Sequence, residues 1–66
     1  MLKSGILFEG FGYLACYAAR GQILAVTRGD KGKCLKGAEA LQWAESIKTA
    51  IDKKEAAALC RAIYNA

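Results

Sequence analysis

Between Ser4 and Thr27 only Glu9 and Arg20 carry a charge at neutral pH, and apolar residues there do not alternate with polar ones. A half-solvated strand alternates, so this pattern predicts strands with apolar side chains on both faces. Gly5 to Phe8 reads as a short first strand and Gly10-Phe11-Gly12 as a flexible break or bulge. Tyr13 to Ala18 reads as a second strand in which aromatic residues alternate with small ones. Ala19-Arg20-Gly21 fits a three-residue hairpin loop with Gly21 in the left-handed region, after which Gln22 to Thr27 returns as the next strand.

With that loop, Leu14, Cys16 and Ala18 share a face with Leu24 and Val26. Tyr13, Ala15 and Tyr17 then share the other face with Ile23, Ala25 and Thr27. A two-residue turn would shift the pairing by one, and both faces would stay mainly apolar. Residues 28–37 read as an exposed, basic, glycine-rich loop, within which Cys34 and Leu35 form at most one more short extended segment.

After Gly37 the period becomes helical. Ala40, Trp43, Ala44, Ile47, Ala50 and Ile51 fall on one stripe, with Glu39, Gln42, Glu45, Ser46 and Thr49 opposite, which predicts a helix over about 38–51 with Trp43 as its principal core residue. Asp52 is placed to cap a second helix over about 53–65. Glu55 completes a capping-box-like pair and Ile51 is positioned to staple against Ala56. Ala56, Leu59, Cys60 and Ile63 form the inward stripe of that helix. The expectation is an α+β fold in a single domain of residues 1–66: a small antiparallel sheet of two to three strands, then two helices packed on one of its faces.

One helical layer covers one sheet face, so the other is expected to meet a partner. Tyr13, Tyr17 and Ile23 are the candidate partner-binding residues, since tyrosine joins a large apolar body to a polar tip. Composition strengthens this expectation. Sixty-six residues, 55% of them hydrophobic, lie near the lower limit for a domain that folds alone, where self-association is a ready source of further burial. A homodimer follows as the expected resting state.

Charge opens an alternative. Arg28, Lys31, Lys33 and Lys36 stand against Asp30 alone in the loop, within a chain of net charge +4. Such a loop fits contact with a polyanion such as nucleic acid, with help from Lys54 and Arg61, or a charged rim around a protein interface. The Gly32-Lys33 pair is not a phosphate loop, because the positions that need a glycine and a hydroxyl hold Thr27 and Cys34. Gly10-Phe11-Gly12 lacks the helix opening of a dinucleotide fingerprint, and Arg28-Gly29-Asp30 is read as a chance match to an adhesion tripeptide.

The chain has no histidine, and its carboxylates are dispersed, with Glu39 and Glu45 on the solvent side of the first helix. No catalytic residue, metal site or cofactor is expected. Cys16, Cys34 and Cys60 cannot all pair within one chain and form no C-x-x-C motif, which favours a reducing, cytoplasmic setting. Cys16 and Cys60 read as small buried hydrophobes, and only Cys34 sits where a thiol would be exposed and reactive. Met1-Leu2-Lys3 and Leu14-Ala15-Cys16 faintly resemble a leader and a lipoprotein cleavage site, but Glu9 and the glycines at 5, 10 and 12 break any apolar core, and no membrane association is expected. By class, the chain is expected to be a small accessory or inhibitory binding protein, of the kind that phages and mobile elements carry, acting through contacts with another protein.

Overall fold

In a computed structural model that describes residues 3–66, the chain forms four strands and two helices. Met1 and Leu2, which begin the leader-like stretch, lie outside the described residues. The strands are β1 (Gly5–Gly10), β2 (Tyr13–Ala18), β3 (Ile23–Arg28) and β4 (Lys31–Lys36), and the helices are α1 (Gly37–Lys48) and α2 (Lys53–Asn65). All neighbours pair antiparallel in the order β1-β2-β3-β4, so the sheet is a meander with β1 and β4 at its edges. Both helices pack on the same side and each reaches both edge strands, so they lie across the strand direction.

The α+β order matches the sequence pattern, but the sheet has four strands rather than two or three. The loop expected over 28–37 is instead a hairpin. Gly29, with φ of 64°, and Asp30 make its two-residue turn, and Lys31–Lys36 pairs back along β3. Lys-Gly-Lys-Cys-Leu-Lys has a weak strand signature because an edge strand is guarded by charge rather than filled with β-branched residues.

Gly10-Phe11-Gly12 is likewise not a bulge. Phe11 and Gly12 form the tight turn between β1 and β2, both with positive φ, 52° and 82°, the sign pattern of a type I′ hairpin turn. The bulge falls earlier, where Ile6 pairs with Cys16 and Phe8 with Ala15, leaving Leu7 as the extra residue. Leu7 and Phe8 both pack against the core.

The register of β2 against β3 corrects the expected allocation of faces. Ala18 pairs with Ile23, so four residues, Ala19 to Gln22, form the loop. Gln22 itself adopts a positive φ of 49°, which no residue-type signal announces. One extra loop residue moves every β3 side chain to the opposite face relative to β2. Tyr13, Ala15 and Tyr17 therefore share a face with Leu24 and Val26, and this is the face beneath the helices.

The core forms there from Tyr13, Ala15, Tyr17, Leu24 and Val26 on the sheet and Ala40, Ala44, Ile47, Ala56, Cys60 and Ile63 on the helices. Large tyrosines meet small alanines, an interdigitation that lets the helices approach the sheet. Trp43 is half-buried at the margin of this core rather than at its centre.

The helix boundary at Asp52 forms as expected, its Oδ1 accepting from the Glu55 N–H at 2.8 Å, but the return bond of the capping pair is displaced by one residue: Glu55 Oε2 accepts from the Ile51 N–H at 3.1 Å. The staple does not form, because Ile51 is 91% exposed. α1 ends at Lys48, three residues before the expected limit, so Ile51 lies in the connection between the helices.

Candidate interaction surface

The sheet face away from the helices is built by the alternate positions of each strand. Pairing sets three rows across it. Ile6, Cys16, Ala25 and Cys34 form the middle row, Glu9, Leu14, Thr27 and Gly32 form one flank, and Ala18, Ile23 and Lys36 form the other. Leu14, Cys16, Ala18, Ile23, Ala25 and Thr27 are all half-buried, while Ile6 is 65% exposed. Charge enters this face only at opposite corners, through Glu9 on β1 and Lys36 on β4. Among the described residues no element of the chain covers it.

The relief is low. At Gly32 an added Cβ would come within 3.0 Å of the Thr27 methyl carbon across the strand pair, so the glycine keeps that corner of the face flat. Small side chains at Ala18, Ala25 and Gly32 leave a smooth apolar surface, unlike the deep, enclosed pockets that hold small molecules. A shallow hollow of about 240 Å³ on the outer side of α1, lined by Gln42, Trp43 and Ser46, carries no ionisable side chain.

The residues expected to meet a partner separate. Ile23 lies on the open face, half-buried. Tyr13 and Tyr17 do not: they are 8% and 4% exposed beneath the helices, placed there by the four-residue loop. The open face presents Leu14, Cys16 and Ala18 instead. The helix stripe held the signal that separates the two faces, since alanines at 40, 44 and 56 leave room that tyrosines fill and leucine, cysteine and alanine do not.

Of the four basic residues, three stay together and one separates. Arg28 lies over the Tyr13 ring, 5.2 Å from its centroid, and the two are cross-strand partners. Lys33 is half-buried on the helix side of β4, and its Nζ donates to the Ala66 main-chain carbonyl at the end of α2. Lys31 is at the turn and Lys36 at the other end of β4, on the open face. Arg28, Lys31 and Lys33 are thus neighbours on the helix side of the β3–β4 hairpin, and Lys36 stands apart from them on the open face.

Cys34 is exposed on the edge strand, Cys16 is half-buried on the open face and Cys60 is buried in the core, where desolvation pushes its thiol pKa up. Ser46 and Thr49 hydroxyls donate back to the Gln42 and Glu45 carbonyls of their own helix. Among the described residues no group of three or more acidic or cysteine side chains is placed to hold a metal ion, and no helix is long and apolar enough to cross a membrane. Comparison with protein-family models, with curated proteins and with solved structures found no match.

Proposed function

We propose that this chain is a small non-enzymatic accessory or inhibitory protein that works by docking the open face of its sheet on another protein, with a homodimer as its resting state. The observation that carries this reading is the apolar face of Leu14, Cys16, Ala18, Ile23 and Ala25, which one helical layer leaves uncovered. Flat apolar patches rimmed by charge are characteristic of protein contacts, and Glu9 and Lys36 supply a rim of both signs.

The polyanion reading has less support, since Arg28 lies over Tyr13, Lys33 reaches the Ala66 carbonyl, and Lys36 is on the opposite face from the other three cations.

Ala25→Arg tests the docking surface, because it places a long cation at the centre of the open face without entering the core. A partner captured from the native host and identified by mass spectrometry is then purified and titrated against both proteins. We expect at least a tenfold loss of affinity in the variant with an unchanged circular dichroism spectrum. Equal affinity for both overturns the reading, as does tight, salt-sensitive binding of oligonucleotides that Lys31→Ala and Lys36→Ala abolish.

A further inference from the structure

The two edges of the sheet are treated differently. β4 carries Lys31, Lys33 and Lys36 in six residues, the usual guard against pairing with another strand. β1, Gly-Ile-Leu-Phe-Glu-Gly, carries one charge and no proline. Two of the large hydrophobic side chains exposed among the described residues belong to β1 or to the turn that leaves it, Ile6 at 65% and Phe11 at 60%. The bulge at Leu7 shortens the run free to form a regular ladder but places no charge along it.

Phe11 adds an independent sign. It holds a φ of 52° in a turn position where asparagine or glycine is the unstrained choice, and its ring makes no part of the core. An exposed aromatic residue kept in a strained conformation gains nothing for the isolated fold, which points to use in a contact.

Area favours a second copy of this chain as the occupant of the edge. Four strands about 4.8 Å apart and six residues long at about 3.3 Å each give one copy an open face of about 400 Å². A specific protein contact needs about 800 Å² from each side. Two copies joined edge to edge reach that area, whereas two copies joined face to face would consume the face itself.

We propose that two copies of this chain pair antiparallel through their β1 edges, giving one eight-stranded sheet whose merged open face is the docking surface. The proposal rests on the reading of that face as the docking surface. The symmetric arrangement closes on itself and leaves both lysine-guarded β4 edges at the outer ends, where like charge opposes further growth.

Sedimentation equilibrium from 1 to 200 μM decides it, with wild type, Ile6→Lys, Phe11→Gly and Ala25→Arg compared. A wild-type dimer is expected, weakened at least tenfold by Ile6→Lys, which sets cations along the shared edge, and unaffected by Ala25→Arg. Phe11→Gly weakens the dimer while raising the melting temperature measured at low, monomeric concentration, a pair of opposite signs that a purely structural phenylalanine would not give. The same variant keeps the test decisive if Ile6→Lys fails to fold. Wild type that stays monomeric throughout overturns the edge pairing, and if Ala25→Arg still loses the partner, the docking reading survives that failure. A dimer lost with Ala25→Arg but kept with Ile6→Lys and Phe11→Gly also overturns edge pairing, because the face is then its own partner.

Discussion

At the scale of single residues, two kinds of position behave differently from their type. Phe11 and Gln22 accept positive φ, at a cost of about 1–2 kcal/mol each for a side chain with a β-carbon, and neither position is announced by the local sequence. Gln22 is held from outside, its carbonyl accepting from the Gly37 N–H at 2.9 Å and so tying the β2–β3 loop to the start of α1. Cys60 behaves as a hydrophobe: burial disfavours its thiolate and raises its pKa. The sign of the resulting pH dependence follows from proton counts. Well below the ordinary thiol value of 9.0 both folded and unfolded chains keep the proton and stability is unaffected by this group. As pH rises through that value the unfolded chain releases its proton first, so the folded state loses stability until the buried thiol also ionises. In urea titrations between pH 8 and 10.5, the stability of wild type relative to Cys60→Ala should therefore fall with increasing pH. A constant difference would show that the thiol is not buried in the fold.

At the scale of elements, boundaries follow local chemistry closely where capping governs them. Asp52 and Glu55 satisfy main-chain donors at the start of α2, and the helix begins where they place it. Asp52→Ala is expected to cost about 1 kcal/mol, read as a lower denaturation midpoint with unchanged slope, while Asp52→Ser should recover most of it. α1 has no such side-chain cap at Lys36, and its start is set by the turn of the chain at Gly37, whose φ is 73°. Edge elements are the least legible. β4 has the composition of a loop because the features that protect an edge, lysines and a glycine, are the features that mark loops elsewhere.

At the scale of the whole molecule, the parity of one hairpin decides which side of the protein is core and which is surface. Tyr17 sits where the helices cover the sheet, so Tyr17→Ser should destabilise the fold by about 3–5 kcal/mol, with helix and strand signals lost in one cooperative transition. Loss of dimer without loss of helix would return Tyr17 to a surface role. The same parity exposes Leu14, Cys16, Ala18 and Ala25, and the meander leaves β1, protected only by its bulge and Glu9, as an edge beside them. Docking surface and pairing edge are thus adjacent parts of one sheet.

The order of strands before helices, the amphipathic stripes of α1 and α2, the break at Asp52 and the presence of apolar residues on both sheet faces are properties of local spacing, and the sequence alone determines them. The identity of the inner face is not local. The local pattern points to a three-residue loop between β2 and β3, and the fit of two tyrosines against an alanine-lined pair of helices, closed by the hydrogen bond from the Gly37 N–H to the Gln22 carbonyl, selects four instead. Packing over long sequence separations chose between two registers that differ by a single residue, and with that choice it assigned one face to the core and the other to solvent.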